Sequence, residues 1–363
     1  MIHYLVTDEH QYTVGTHLPH WSGILSQRIR ILTYEALTSC NELRPGTYIF
    51  SDLDRLSPVQ TELCLCVWDQ LRPAEGAMRL LNHPGRVLRR YELLRTLHAN
   101  GQNLFHAYRL SEDYSRILFP AFVRRENGHE GSLTPLLSTR QDLDVALLQL
   151  LYRGHRSEDL LIVEFCNTAA PDGIFRKYSA FRIGDQILPR RLIFNLDWMA
   201  KNNTESLINE QRALEEKTYL ETNPHENWLR EVFDRACIEY GRIDYSFCDG
   251  RPQVWEINTN PTIFLQAERY HPLHLPLQEL FATKLAAALE AVDLATPGIP
   301  PIKICIPTDL LGRITTDRKT RRRKDLFRHL VAKGRNSIVS PSLVRHIKPY
   351  VARHASLLVR IFS

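Results

Sequence analysis

Apolar and polar positions alternate with period two through residues 240–263, YGRIDYSFCDGRPQVWEINTNPTI, and that spacing predicts a pair of β-strands. Asp249-Gly250, followed by Pro252, marks the turn between them, because such a dipeptide accepts the positive φ that a tight hairpin needs. Side chains alternate faces along a strand. Ile243, Tyr245 and Phe247 therefore share one side with Trp255 and Ile257, an apolar face predicted to be buried. The other side carries Asp244 and Ser246 across from Val254, Glu256 and Asn258, and a three-residue loop over 249–251 sets Asp244 opposite Glu256.

The same reading divides the rest of the chain. IHYLVT (2–7) and GTYIFS (46–51) are strand-like, while 26–38 and 59–71 have helical apolar spacing, so a small βαβ-type unit runs to about residue 85. NHPGRVLRRYELLRTLHANG (82–101) predicts a helix over 86–99 that stops at Gly101. Strand 117–126, helix 141–154 and strand 159–167 follow, then a long hairpin over 173–194 around Gly184-Asp185. Helices are expected over 206–221 and 225–240, and again over 277–295 after the 240–263 hairpin. The Pro-rich TPGIPPIKICIP (296–307) is expected to be a linker. The fold class is α/β in the broad α+β sense, in three parts: residues 1–85, residues 86–295 with a central subdomain at about 117–167, and residues 296–363.

Composition adds limits. At 363 residues with 44% apolar and 24% charged positions, the chain is an ordinary globular sequence. MIHYLVTDEH has no basic leader, and no apolar run approaches the ~18 residues of a membrane span, so a cytoplasmic location is expected. Seven cysteines without paired CxxC elements support neither a disulfide framework nor a structural zinc site. The net charge of +5 conceals an uneven distribution: residues 301–363 hold 15 Lys/Arg against 3 Asp/Glu. The peak, DRKTRRRKDLFRH (317–329), suits an acidic or phosphate-rich partner, or is simply a solvated tail.

Two carboxylates facing each other across a hairpin destabilise it unless something neutralises them. Hard oxygen donors clustered in this way suit Mg²⁺ with nucleotide phosphates completing its shell. A half-solvated hairpin whose acids point at water is the alternative.

Taken in order over about residues 82–275, NHPGRVLRRYELL, FPAFVRRE, LLIVEF, the DG…R…GD hairpin and RIDYSF…VWEINTNP resemble the ATP-grasp superfamily, particularly the branch of glutathione synthetase and the ribosomal-protein glutamate ligases. The D-x(11)-E-x-N spacing is the most specific of these signals. The resemblance implies an ATP-grasp fold with a small N-terminal pre-ATP-grasp domain and a basic C-terminal extension. It implies ATP and Mg²⁺ as cofactors, with Mg-ATP held between the subdomains. Asp244, Glu256 and Asn258 match the family's metal ligands. Glu164 takes the hinge position beside adenine, with the main chain of Phe165 and Cys166 bonding the base, and Asp172 lies where an acid holds the ribose. Arg90 and Arg124 stand where the family carries phosphate-binding lysines, a replacement that keeps charge but not shape. Among Arg176, Lys177, Arg182, Arg190 and Arg191, Arg190 is assigned, with Asn258, to catalysis at the γ-phosphate and acylphosphate. ENGHEGS (126–132) stands where a phosphate lid is expected, and Thr262 replaces the Gly that often follows Asn-Pro.

The activity implied is an ATP-dependent carboxylate-amine or carboxylate-thiol ligase working through an acylphosphate. Its partners would be a small-molecule or peptide carboxylate and an amine acceptor; dimers are common in that family, but the residues themselves do not decide between a monomer and a homodimer. His3, His10, His17 and His20 either line an acceptor pocket or are scattered surface residues. The reading from a different class is an ATP-binding scaffold or regulatory protein whose basic tail binds nucleic acid or an acidic partner.

Overall fold

Ile2–Val6 (β1) is an unbroken run of buried positions, as a strand covered on both faces should be. In the computed structural model, which describes residues 1–15, 27–74 and 76–320, it is the inner strand of a parallel sheet. Its neighbours are Ile29–Thr33 (β2) and Gly46–Phe50 (β4), and Met78–Leu81 (β5) lies outside β4, giving the order β2-β1-β4-β5. The helix expected over 26–38 is therefore corrected. Residues 29–33 pair in register with β1, Ile2 with Ile29 through Val6 with Thr33, and only Tyr34–Leu37 makes a helical turn. The i, i+3 apolar spacing of Ile29 and Leu32 fits either structure, and the available ladder decides it. Pro58–Leu71 (α1) is the expected helix, opened by a capping box between Ser57 and Gln60 with Pro at its first turn.

Arg90–Asn167 forms one compact unit, and Met1–Arg89 with Thr168–Ile314 forms another. In the smaller unit the helix begins at Arg90 rather than 86 (α2, Arg90–Ala99). Strands Ala107–Arg109 (β6), Ala121–Arg125 (β7) and Leu160–Glu164 (β8) make an antiparallel sheet in the order β6-β8-β7. The strand expected over 117–126 is shorter, Ala121–Arg125, and begins after the cis Phe119-Pro120 bond. Arg140–Tyr152 (α3), capped by Thr139, lays Leu143, Leu147 and Leu150 on this sheet against Val123 and Ile162.

The larger unit also holds an antiparallel sheet, with Phe175–Ile183 (β9), Gln186–Asn195 (β10), Tyr240–Cys248 (β11) and Arg251–Asn258 (β12) in the order β10-β9-β11-β12. Glu210–Thr222 (α4), Glu226–Arg235 (α5) and Leu275–Val292 (α6) accompany it. The helix expected over 225–240 ends at 235 because Cys237 turns left-handed and Tyr240 enters β11. Phe281, Leu285 and Leu289 of α6 pack with Tyr4 and Val6 of β1 and with Phe181 and Ile183 of β9, so both sheets share one core.

Residues 296–307 are not a free linker. Ile302–Lys303 (β13) pairs with Glu42–Leu43 (β3), Ile304 is buried and joins the cluster around Tyr48, Phe50 and Trp68, and Arg313 forks onto Glu62. Proline content alone does not reveal that its alternate isoleucines have an edge to dock on. A helix spans 308–320, and the basic run from residue 321 onward lies outside the described residues.

His3 lies in β1, buried and stacked on Tyr48 with ring centroids 4.4 Å apart. Burial, aided by Arg30, the N-terminus and Arg44, lowers its pKa from 6.5 to about 4. Between those values the unfolded chain binds a proton that the folded chain refuses, so stability falls as pH falls, by about 3 kcal/mol across the window. Urea titrations of the wild type and His3→Phe from pH 7 to 4 are expected to diverge by that amount. Parallel curves would overturn the assignment.

Candidate active site

The 240–263 hairpin reaches its expected register by a different route. Cys248 pairs with Arg251, so the turn is the two residues Asp249-Gly250 rather than three, and a bulge at Trp255 restores Asp244 opposite Glu256. The bulge exchanges two side chains. Val254, expected on the polar face, pairs with Tyr245 and is wholly buried, whereas Trp255 leaves the core and donates its indole N–H to Ser246 Oγ at 3.1 Å. Strict alternation puts Trp255 on the apolar face; a bulge breaks that alternation and moves the residues on one side of it to the opposite face.

Asp244, Glu256 and Asn258 do share a face, with Arg242 opposite Asn258 and Ser179 of β9 opposite Asp244. Asp244 is buried and held by two cations: Arg242 Nε at 3.0 Å on one oxygen and Lys177 Nζ at 3.3 Å on the other. Asn258 Oδ1 accepts from Asn260 N at 2.8 Å. Two carboxylates and an amide oxygen are the donor chemistry of a magnesium site completed by phosphate oxygens. Among the described residues no group of three His, Cys, Asp or Glu side chains is placed to hold a metal ion. The set fits Mg²⁺, with Lys177 and Arg242 balancing the charge of Asp244.

Arg190 occupies the second bulge, between the pairs Pro189–Ala180 and Arg191–Ser179. That extra residue turns its side chain inward, where it is 6% exposed. Nη2 donates to Ile263 O at 3.0 Å and Tyr270 Oη at 3.4 Å, and the guanidinium lies over Phe281 and Phe264. Burial lowers its pKa to about 10. Arg191 and Lys177 line the same cavity, whereas Arg176 and Arg182 are paired elsewhere, with Asp172 and Glu215 and with Asp234.

In the smaller unit Arg90 and Arg124 meet on one turn. Arg90 Nη1 donates to Gly128 O at 2.7 Å and Arg125 O at 3.2 Å, and Arg124 Nη2 reaches Gly128 O at 3.3 Å. They hold the expected lid segment, 126–132, which is a turn returning to a bridge between Arg124 and Ser132. Glu164 is placed differently from its hinge assignment. Its buried carboxylate accepts from His106 N at 2.9 Å, Leu118 N at 3.0 Å and Tyr108 Oη at 3.1 Å. Phe165 N already donates to Pro120 O at 2.9 Å, so this amide is not open to a base; Cys166 follows it, buried. Asp172, in the larger unit, is bracketed by Arg176 and Arg212 at 2.8 and 3.1 Å, and these bonds hold its carboxyl well below the usual range. Both of its oxygens take part in that network.

One cluster was not singled out in the sequence beyond a mention of His10. Past the carboxyl ends of β1 and β4, where the parallel sheet changes direction, Asp52 is wholly buried at φ +58°. It accepts from His10 Nδ1 at 2.9 Å and from Thr7 and Arg55. Such crevices are where open parallel sheets bind ligands. Asn260 ties the cluster to the hairpin, accepting from Thr13 and Tyr4 and donating to His10 O. Of the other histidines, His3 is in the core and His17 and His20 lie outside the described residues.

No protein-family model and no curated protein matches the chain. Among solved structures it is similar in fold to the D-alanine–D-alanine ligase of Coxiella burnetii, with 12% identity, 90% of this chain and 99% of that chain covered and a TM-score of 0.45. It is likewise similar to the D-alanine–D-alanine ligase of Bacillus anthracis complexed with ATP, with 14% identity, coverage of 80% and 99% and a TM-score of 0.43. A third is N5-carboxyaminoimidazole ribonucleotide synthetase from Thermus thermophilus, with 17% identity, coverage of 83% and 81% and a TM-score of 0.43. Among the described residues no helix is long and apolar enough to cross a membrane.

Proposed function

We propose that the protein is an ATP-grasp ligase that joins a carboxylate to an amine, forming ADP. The observation that carries this reading is the β11–β12 register, which sets Asp244 opposite Glu256 with Asn258 on the same face, in the spacing by which the chain resembles that family. In the reaction proposed, a carboxylate oxygen attacks the γ-phosphorus of ATP, the bond to ADP breaks, and the amine then displaces phosphate from the acyl carbon with loss of a proton. Asp244, Glu256 and Asn258 would hold Mg²⁺, which when bound neutralises phosphate charge. The chain's own part is positioning and fixed charge: Lys177 stands beside Asp244, Arg190 and Arg191 put fixed positive charge into the adjoining cavity, and Arg90 and Arg124 keep the 126–129 turn in place. The acid is a small molecule or a peptide in this reading.

A thermal-shift titration with Mg-ATP tests it. A ligand that binds only the folded state adds about 2.7 kcal/mol at 100 times its Kd, so the wild-type midpoint is expected to rise and that of Glu256→Gln to rise far less. If neither protein responds to millimolar Mg-ATP, the ligase reading fails and the basic tail becomes the place to look.

A further inference from the structure

The cavity beside the β9–β10 bulge measures about 150 Å³, space enough for one small ligand group. Its lining is unbalanced. Lys177, Arg190, Arg191, Lys201 and Arg242 face it against the single carboxylate of Asp244, and Asp244 already has Lys177 and Arg242 as partners. Arg190 Nη1 is fully buried with no hydrogen-bond partner, although Nη2 is bonded and the guanidinium lies over the Phe281 ring. A buried cation with an unmet donor costs free energy unless something arrives to meet it. Arg191 has no carboxylate partner among the described residues. An acid whose one carboxylate is spent on the reaction brings nothing to Arg190 and Arg191, whereas a guanidinium pairs strongly with a planar or tetrahedral oxyanion.

We infer that this cavity selects the acid substrate: it takes a second acidic group on that substrate, so the acid that is activated is a di- or tricarboxylic acid or a phosphorylated acid. The inference rests on the ligase reading and names the substrate class of that site. The reacting carboxylate lies toward Asp244, and the second anion is held on Arg190 and Arg191.

Isothermal titration of the nucleotide-free, metal-free protein with acetate, succinate, citrate and inorganic phosphate tests it, with the two polyacids then repeated in the presence of a saturating, non-hydrolysable Mg-ATP analogue. Succinate or citrate is expected to bind at least tenfold more tightly than acetate and to stay bound when the analogue is present. Arg190→Met and the half-exposed Arg191→Gln are each expected to weaken this binding tenfold or more with the fold intact by circular dichroism. Two results would overturn the inference: no preference for polyacids over acetate, or full displacement by the analogue, which would make the cavity the seat of the nucleotide's own terminal phosphate. Polyacid binding without any Mg-ATP response would instead sink the ligase reading and leave an anion site. A Mg-ATP response without polyacid binding would do the reverse.

Discussion

Glu164→Ala is expected to cost the smaller unit about 3–5 kcal/mol, because two backbone N–H groups and a tyrosine hydroxyl lose their acceptor at once and each buried unmet donor costs about 1–3 kcal/mol. The three donors come from different places, His106 before β6, Tyr108 within it and Leu118 before the cis bond. Their common acceptor is what joins those segments to the end of β8. Glu164→Gln keeps one carbonyl oxygen and should lose less than half as much. Denaturant titration of the three proteins measures the stability, and the Mg-ATP response measures the site. If Glu164→Ala kept its stability and lost only nucleotide affinity, the carboxylate would face the ligand after all. The structure supports the opposite ranking, since Glu164 is 4% exposed and its contacts are all internal.

That residue illustrates how much the sequence made legible. The strands around Glu164 follow from Leu160–Val163, whose apolar run has few alternatives, and the hairpin register follows from Asp249-Gly250 with period-two alternation. What a side chain does at a strand end is set by partners far along the chain. Leu118 and His106 lie 46 and 58 residues from Glu164, and no local pattern announces them. Bulges are equally hidden. One inserted residue at Trp255 exchanged the places of Val254 and Trp255, and another at Arg190 turned an arginine that alternation leaves ambiguous into the floor of a cavity. Both bulges preserve pairs of consequence, Asp244 with Glu256 and Arg191 with Ser179, so the polar face remained readable although the route to it was not. The docking of 302–314 onto β3 and α1 was missed for the same reason, since its partners precede it by more than 230 residues.

Asp52→Ala is expected to be comparably damaging and to separate conformation from charge at the parallel sheet's switch point. Deleting the carboxylate strands Arg55 and removes the acceptor for His10 and Thr7, a loss of about 3–5 kcal/mol when one partner of a buried pair is taken away. Alanine at φ +58° adds roughly 1 kcal/mol of backbone strain. Asp52→Asn meets the second demand, since asparagine tolerates the left-handed region, and it keeps a carbonyl acceptor while giving up the charge. It should recover at least the strain component in urea titration. Equal losses in the two variants would assign the whole effect to charge, and no loss in either would refute the role given to Asp52. A further readout follows from geometry. With the carboxylate in place, His10 Nδ1 faces an acceptor that cannot donate, so its proton is held on that nitrogen and Nε2 is the basic one. An amide can rotate to donate, so nitrogen NMR of the imidazole should show the tautomer shift in Asp52→Asn. Asn260 joins the main chain of His10 to Asn258, so the Asp52 cluster and the hairpin's polar face belong to one hydrogen-bonded network.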